Sequence, residues 1–248
     1  MSLIDKAARL SQRGLKLASV VAAAGPRRAL FKTRTAAGME HASILSYCKA
    51  QTVIDVGANK GQFALAARHV LPEARIIAFE PLPQAAAVFE ANFAGDPKVD
   101  LHRLALSDRA AQARFHVAGR ADSSSLLALG QNQATVFGVS ADHEIEVTTA
   151  RMDEALSLAD HPGPILLKID VQGAEHLVLA GAPQSLAATA FVYVECSYIS
   201  LYETQALFTH ILGQMAAAGF ELVGALNTHF DPELGPIQAD VLFRKVQS

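Results

Sequence analysis

A regular alternation of apolar, β-branched runs with helical segments begins at residue 52 and continues through most of the chain. Four such runs are each followed by a segment with helical periodicity: TVIDV, ARIIAF, PILLKID and FVYVEC. The helix after FVYVEC is predicted from Glu203 to Ala218, and VDLHRLAL is predicted as a further strand. Strands that are connected through helices lie parallel, because only a crossover returns the chain to the same edge of the sheet. The pattern therefore predicts an α/β fold built on a doubly wound parallel sheet.

The last two predicted strands, FELVGAL and QADVLFRK, are connected without a helix. Only residues 227–237 separate them, and Pro232, Gly235 and Pro236 oppose a helix there. Since a parallel crossover needs a dozen or more residues, usually a helix, we expect this pair to be antiparallel. A seven-stranded sheet with a reversed last strand describes the methyltransferase variant of the Rossmann-like fold rather than the six-stranded dinucleotide fold.

Residues 1–50 precede this pattern and are predicted to form an N-terminal helical extension, followed by one domain over residues 51–248. Helical spacing runs from Leu3 to Ala24. Gly25-Pro26 is expected to stop that helix, and a second short helix is predicted from Met39 to Cys48.

The composition favours a reduced, cytoplasmic protein with a large core, because 51% of the 248 residues are hydrophobic and 18% are charged. Cys48 and Cys196 lack the spacing of a zinc site or a disulfide framework, so no metal site is predicted. The apolar stretch LASVVAAA is too short for a membrane span. Residues 1–34 carry eight Lys or Arg and one acid, which favours a solvated basic helix face, with peripheral membrane contact as the alternative.

Residues 107–150 interrupt the strand and helix rhythm. Alternation in ARFHV and EIEVT predicts two extra strands, as in a hairpin arm, with a polar loop between them. Long polar loops in compact domains are usually functional or disordered.

The turn after the first strand, in VIDVGANKGQF, predicts a ligand site. Gly57 permits backbone angles that other residues avoid, and a helix opens at Gly61. The N–H groups at the start of a helix suit an anionic ligand. The turn lacks the middle glycine of GxGxxG, which opposes a dinucleotide, and it lacks GK[ST], which excludes a triphosphate loop.

Glu80 ends the second strand, where a carboxylate accepts hydrogen bonds from both hydroxyls of a ribose. A ribose without a pyrophosphate favours S-adenosylmethionine, which carries a zwitterionic amino-acid end and no phosphate. Asp55 is expected to face the ligand's ammonium group, and backbone N–H groups its carboxylate.

Several motifs follow one another in order over about residues 52–244: VIDVGANKGQF, IIAFEP, LALSD, SSSL, LLKIDVQGAE, YVECSY, LYETQ and QADVLF. This ordered set resembles the FkbM family of S-adenosylmethionine-dependent O-methyltransferases. The resemblance implies a class I methyltransferase fold and methyl transfer to a hydroxyl of a sugar, of a glycolipid or polysaccharide component, or of a natural product such as a polyketide. Residues 1–50 lie outside it.

The resemblance also assigns site residues by position. It places Asp55, Gly57, Asn59 and Gly61 around the methionine end of the cofactor and Glu80 on the ribose. Two further assignments have a local alternative. Ser107 and Asp108 would lie beside the adenine, or form an ordinary turn or cap. Ser123, Ser124 and Ser125 would bind substrate, or belong to a flexible loop.

Two carboxylates at strand ends are candidates for handling the acceptor hydroxyl: Asp170 after LLKI and Glu195 after FVYV. An in-line displacement at a sulfonium methyl needs an aligned oxygen and a group that orients or removes its proton. Asp170 is the leading candidate and is also expected to contact the cofactor, with capping of the helix from Gly173 as the alternative. Glu195 would hold a hydroxyl or act as a base.

Histidines supply the other candidate bases, because imidazole titrates near neutral pH. His229 is preferred to His143 and His176, since it falls in a predicted loop after the sixth strand. A surface or structural role is the alternative for each. Lys168 is expected to pair with an acid, and Glu175 to face the dipole of its helix.

The expected partner is a small-molecule, glycan or glycolipid acceptor, with no nucleic acid and with homo-oligomerisation left open. A nicotinamide-dependent oxidoreductase needs a pyrophosphate site and usually a YxxxK pair, which this chain lacks. A non-catalytic protein that binds S-adenosylmethionine or a glycan is the third hypothesis, opposed by the intact Asp170 and Glu195. A nucleic-acid methyltransferase has no aromatic stacking signature to support it, and Trp is absent.

Overall fold

The fold is seen in a computed structural model that describes residues 24–246 and forms two sheets. The strands are β1 (Thr52–Val56), β2 (Arg75–Phe79), β3 (Val99–His102), β4 (Ala105–Leu106), β5 (Ala111–Ala118), β6 (Ala141–Ala150), β7 (Ile165–Ile169), β8 (Phe191–Ser197), β9 (Phe220–Asp231) and β10 (Gly235–Lys245). The larger sheet has the order β3-β2-β1-β7-β8-β10-β9. Its first five strands are mutually parallel, whereas β10 is antiparallel to both neighbours. The predicted α/β class with a reversed last strand is confirmed.

Helices pack on both faces of this sheet. They are α1 (Ala24–Thr33), α2 (Ala42–Cys48), α3 (Gln62–Val70), α4 (Pro83–Phe93), α5 (Met152–Ala155), α6 (Glu175–Ala180), α7 (Pro183–Ala188) and α8 (Phe208–Ala217). One face, including Val53 and Leu166, is buried with α1 to α4. The other face, including Ile54 and Leu167, is buried with α6 and α8. Burial on both faces explains why β1 and β7 read as continuous apolar runs.

Polar side chains form a row across the face of the larger sheet that α1 to α4 cover. Asp55 pairs in register with Lys168, and Lys168 pairs with Tyr193. Glu195 follows two residues after Tyr193 and pairs with Asp240. Partners in register share a face, and the side-chain period of a strand is two, so all five lie on one side of the sheet. Polar groups in an otherwise apolar layer must find partners among themselves or in a ligand.

Residues 107–150, here called the insertion, form a separate three-stranded sheet together with β4, in the order β4-β6-β5. β5 and β6 are antiparallel, which confirms the two predicted extra strands. Phe115 and Val147 pack this sheet onto Leu82 near the start of α4. The run VDLHRLAL was predicted as one strand, but the chain turns after His102 and its last residues pair with β6 instead.

Two helix boundaries differ from the prediction. The helix expected from Leu3 to Ala24 lies outside the described residues, but Gly25-Pro26 does not act as a stop, because α1 passes through both residues. Pro26 falls in the first turn of α1 as described, where a missing N–H costs little. The helix expected from Glu203 begins only at Phe208, since the side chain of Gln205 accepts the N–H groups of Leu201 and Tyr202 and holds a turn there.

The short helix predicted from Met39 to Cys48 is present as a 3-10 turn, Met39–His41, followed by α2. Within residues 24–246, every helix is too short or too polar to cross a membrane.

Candidate active site

A pocket opens where β1, β2 and β7 end, and the glycine turn after β1 forms one wall. Gly57 has a φ of +75°, and a Cβ placed there would lie 1.8 Å from the carbonyl oxygen of Asp170. Only glycine therefore fits this close approach of two backbones. Gly61 also has a positive φ, +89°, and begins α3 as its N-cap.

The N–H groups of the turn itself are already used within the protein. Gly57 and Ala58 donate to the carbonyl of Phe79, both at 3.0 Å, and Asn59 donates to Glu80 Oε2 at 2.8 Å. The first turn of α3 has no carbonyls four residues back within the helix, so its N–H groups are the donors available to a ligand. Gln62 and Phe63 from this turn line the pocket.

Glu80 is a buried carboxyl at the end of β2, 7% exposed, and it lines the pocket. Its Oε1 accepts the N–H of Leu82 at 2.8 Å, and its Oε2 accepts that of Asn59. Burial raises the pKa of Glu80 to about 7, against the opposing effect of these two hydrogen bonds. Each oxygen keeps a lone pair, so both can accept a further donor.

An apolar slot lies beside Glu80 and is lined by Phe79, Leu104, Leu106, Phe115 and Leu126. Apolar side chains of this kind suit the faces of a flat aromatic ring. Ser107 and Asp108 lie outside the lining. Ser107 bonds to Ala150 and Asp108, and the carbonyl of Asp108 accepts a hydrogen bond from Arg151, contacts typical of the alternative turn interpretation.

Asp55 does not reach the pocket. It is fully buried, and its Oδ1 lies 3.0 Å from Lys168 Nζ, which itself faces the pocket. Lys168 Nζ also donates to the carbonyl of Gly57 at 3.0 Å and lies 3.7 Å from Asp170 Oδ2. Burial opposes the charge of Lys168, but Asp55 and Asp170 together raise its pKa, so it stays protonated. Lys168 pairs with an acid, as its strand position predicted.

Asp170 and Glu195 meet at the pocket and are joined by an amide. Gln172 Nε2 donates to Asp170 Oδ1 at 2.7 Å and to Glu195 Oε2 at 2.9 Å, and Gln238 Nε2 donates to Glu195 Oε1 at 2.6 Å. Gln172 is held in turn by the hydroxyl of Tyr202, 2.9 Å from its Oε1. Desolvation, followed by the charges of Asp170 and Asp240, raises the pKa of Glu195 well above its ordinary value.

A second, more polar chamber adjoins the first and shares Asp170, Gln172 and Glu195 with it. The insertion supplies most of its other walls, including Arg120, Ser123, Gln133 and Phe137. Oε1 of Gln133 is buried and has no hydrogen-bond partner among residues 24–246. A buried acceptor without a partner is costly, so this atom is suited to a donor on a ligand.

The three predicted serines divide between the chambers. Ser124 lines the first chamber and Ser123 the second. Ser125 lies behind both, where its Oγ accepts the N–H of Leu127 and donates to the carbonyl of Val171. Glu175 is also structural, since its Oε1 accepts the N–H groups of Val171 and Gly173.

His229 does not lie in a loop, contrary to prediction. It belongs to β9, which extends to Asp231, and its ring packs against Phe137 at 5.0 Å between centroids. It lines neither chamber. His143 is exposed on β6, and His176 packs against His210 outside both chambers.

Sequence reasoning missed several residues that line the pocket: His41, Gln172, Tyr193, Gln238 and Asp240. Gln172 and Gln238 stand inside the motifs quoted above, but amides carry no charge and were given no role. His41 had no signal, because it belongs to the N-terminal segment outside the family resemblance. No cluster of three or more potential metal ligands occurs within residues 24–246.

Comparison with known proteins decides the family. The model of the methyltransferase FkbM domain matches residues 55–222. The 2-O-methyltransferase NoeI of Sinorhizobium fredii is 32% identical over 202 residues, which cover 79% of each chain. This chain belongs to the FkbM methyltransferase family. It is a methyltransferase, and its cofactor is S-adenosyl-L-methionine.

Two further proteins are similar to this FkbM methyltransferase at lower sequence identity. Methyltransferase 1 of Beauveria bassiana is 28% identical over 152 residues, 52% of this chain and 57% of that protein. Among solved structures, fibrillarin of Aeropyrum pernix with bound S-adenosyl-L-methionine is 12% identical, with a TM-score of 0.47, over 78% of this chain and 66% of that one.

The pocket of this FkbM methyltransferase fits its cofactor on physical grounds. Oδ1 of Asn59 is buried without a partner among the described residues and suits the ammonium of the methionine end. Glu80 offers acceptors to the ribose, and the apolar slot suits the adenine. Among the described residues of the lining, Lys168 is the one lysine or arginine, and it is paired with Asp55, which leaves no free cation for a pyrophosphate.

Proposed function

We propose that this enzyme methylates a hydroxyl group of a sugar-type acceptor, as a small glycoside or as part of a glycan or glycolipid. The observation that carries the proposal is the pair of adjoining chambers, one suited to the cofactor and one lined by amides and acids. Asp170, Gln172 and Glu195 stand where the chambers meet. An acceptor in the polar chamber would present its oxygen at this boundary.

The chemistry of the second chamber supports a polyhydroxylated ligand. Its amide side chains and carboxylates supply hydrogen-bonding groups, including the unpaired Oε1 of Gln133, which suits a ligand that carries several hydroxyl groups. The ring of Phe137 supplies an apolar surface on which the C–H face of a sugar can pack. Buried polar groups of this kind favour a ligand that pairs with them and reject one that does not.

The relatives support transfer to oxygen. NoeI is named as a 2-O-methyltransferase, and its similarity to this chain extends over 79% of each sequence. By this likeness we infer that the acceptor is an alcohol, with a hydroxyl next to the anomeric carbon as the first candidate.

The residues would divide the work as follows. When bound, S-adenosyl-L-methionine supplies an electrophilic methyl group. Glu80, Asn59 and the first turn of α3 would hold it, while Lys168 and Asp170 shape the wall beside its reactive end. Asp170 and Glu195 would accept hydrogen bonds from the acceptor hydroxyls and align the oxygen. The packing of His229 on Phe137 supports a place behind the acceptor chamber rather than at the reacting atoms.

Calorimetric titration with S-adenosylhomocysteine tests the cofactor site. Glu80→Ala should abolish binding, while Glu73→Ala, at an exposed ion pair with Lys98, should bind like wild type. NAD is the negative control and should not bind. Binding unaffected by Glu80→Ala would contradict the assignment.

Methyl transfer to a panel of p-nitrophenyl glycosides, followed by mass spectrometry, tests the acceptor class. We expect methylation of at least one glycoside and none of its 2-deoxy counterpart. Transfer to none of the sugars, with a functioning cofactor site, would overturn the sugar-type acceptor. Methyl transfer to the 2-deoxy glycoside would overturn the proposal that the hydroxyl next to the anomeric carbon is the acceptor.

A further inference from the structure

His41 lies in the N-terminal segment and yet lines the cofactor pocket, together with Phe63, Lys168 and Asp170. The 3-10 turn that carries it is fixed to α3, because the N–H of Gly38 donates to the carbonyl of Gln62 at 2.8 Å. The ring of His41 packs edge-on against Phe63, with centroids 5.3 Å apart. Its side chain is 20% exposed, and the residue is part of the pocket lining.

Hydrogen bonding behind the ring assigns its tautomer. Asp240 Oδ2 receives Nδ2–H of Asn227 at 2.8 Å and the hydroxyl proton of Tyr193 at 3.0 Å. Tyr193 has one proton to give, so the contact of 3.0 Å between its oxygen and His41 Nδ1 must be donated by the imidazole. The proton therefore sits on Nδ1, and Nε2 carries the lone pair.

The charges around His41 act in both directions. Burial lowers the pKa of His41, and Lys168 on β7 lowers it further. Asp240 on β10, Glu40 on the same turn and Asp170 after β7 oppose that change, and the net pKa stays below 6.5. The imidazole is thus neutral at pH 7, and the acids nearby would stabilise the positive charge that appears when it takes a proton.

We propose that His41 is the residue that accepts the proton of the acceptor hydroxyl, with Tyr193 and Asp240 as positioning residues. The inference rests on the proposed transfer of a methyl group to oxygen. As the O–CH3 bond forms and the methyl leaves sulfur, the hydroxyl proton passes to Nε2 of His41. The sulfide that remains is neutral, and the positive charge of the donor ends on the imidazolium, beside the hydrogen-bonded Tyr193 and Asp240.

The two strand-end carboxylates fit a different role. Both oxygens of Glu195 and one of Asp170 accept amide N–H groups, which suits them to holding an acceptor in place. The pairing of Tyr193 with Asp240 behind His41 follows the logic by which an acid fixes the tautomer of a catalytic histidine.

Kinetics of methyl transfer to p-nitrophenyl glycosides supply the first test. His41→Gln should lose about 100-fold or more in kcat, the usual contribution of a general base. Its affinity for S-adenosylhomocysteine should match wild type. His69→Gln, at an exposed position of α3, is the matched control and should keep wild-type kcat.

The pH profile separates a proton acceptor from a packing residue. Wild-type kcat should rise with pH through a transition below about 6.5, because only the neutral imidazole accepts a proton, and His41→Gln should lose that transition. Asp240→Asn should shift the pH transition of kcat. In the double variant with His41→Gln, Asp240→Asn should cause little further loss of kcat. Wild-type kcat and an unchanged profile in His41→Gln would overturn the inference.

A second test needs no acceptor. Nitrogen NMR of histidine-labelled protein saturated with S-adenosylhomocysteine should show His41 neutral at pH 7 with the proton on Nδ1, and Tyr193→Phe should disturb that tautomer. A proton on Nε2 or a charged ring would contradict the role of His41. Wild-type enzyme that methylates no glycoside would overturn the proposed acceptor, while the NMR result would still decide the state of His41.

Discussion

Asp55 lies beneath the pocket, with its Oδ1 3.0 Å from Nζ of Lys168, and it contacts the ligand site only through that lysine. Sequence analysis assigned Asp55 to the cofactor's ammonium because it lies near the glycine turn. In the fold it is the counter-charge that keeps a buried lysine protonated beside Gly57 and Asp170. The strand that carries Asp55 was predicted correctly, but its side chain pairs with Lys168 and does not line the pocket.

Removal of this counter-charge should destabilise the fold. Asp55→Asn leaves Lys168 buried without its carboxylate, so we expect the free energy of unfolding to fall by about 3 to 5 kcal/mol. Urea titration of the variant and of the wild type measures this difference. The double replacement Asp55→Leu with Lys168→Met should lose less than Asp55→Asn, because no charge is left unpaired. Glu73→Gln, at the exposed pair with Lys98, should change little. Equal losses in the buried and exposed cases would contradict this account.

Gly57→Ala should be far more damaging than its backbone angle alone requires. A Cβ at Gly57 would lie 1.8 Å from the carbonyl oxygen of Asp170, whereas one at Gly95, which also has a positive φ, meets nothing within 4 Å. Gly95→Ala should therefore cost about 1 to 2 kcal/mol of unfolding free energy. Gly57→Ala should cost about 3 kcal/mol more and abolish binding of S-adenosylhomocysteine in calorimetry. Similar stability of the two variants would show that the two strand ends can separate.

Cofactor binding should be linked to protonation of Glu80. The pKa of this carboxyl is raised to about 7, so the protein is stabilised by its protonated form, and that contribution is lost as pH rises from about 4.5 to about 7. Ribose hydroxyls donate to the carboxylate and favour the ionised form, so binding at pH 6.5 should release a proton and tighten towards pH 8. Calorimetry in buffers of different ionisation enthalpy measures the release.

The matched control for this linkage is Glu175, whose pKa burial also raises to about 7 but which caps a turn and does not line the pocket. Glu80→Gln should bind more weakly and without proton release, whereas Glu175→Gln should retain the release. Proton release that persists in Glu80→Gln would assign the linkage to another group.

Phe137→Ala should weaken binding of the acceptor and leave binding of the cofactor unchanged. The aromatic surface lines the polar chamber and not the cofactor pocket. We expect KM for a glycoside to rise about 3-fold to 10-fold, the effect of losing about 0.5 to 1.5 kcal/mol of aromatic contact. Phe31→Ala, at a side chain that is 76% exposed on α1, is the control and should leave KM unchanged. An altered affinity for S-adenosylhomocysteine in Phe137→Ala would argue against separate chambers.

The framework of the fold was predictable because its signals are local. Continuous apolar runs, the glycine turn and the short connection before β10 each follow from a few neighbouring residues. The same is true of Glu80, whose place at a strand end put it in the pocket. Locality also explains the failure at Gly25-Pro26, where α1, which packs against α3 and α4, includes both residues of the predicted stop.

The site was less predictable because it depends on pairs distant in sequence. His41, Tyr193 and Asp240 meet through hydrogen bonds across about 150 and 50 residues, and no local pattern marks any of them. The polar chamber likewise depends on how the insertion folds back over β7 and β8. Periodicity correctly predicted the strands of that insertion but carried no information on which of its side chains face a ligand.

The order of the strands has a consequence for biosynthesis. β10 is synthesised after β9, yet it lies between β8 and β9, so β9 has no neighbour in the sheet until β10 is made. Two pocket residues belong to β10: Asp240 lies beside His41, and Gln238 donates a hydrogen bond to Glu195. A nascent chain that lacks β10 would therefore have the glycine turn and no finished pocket. Catalytic competence would begin only once β10 has paired with β8.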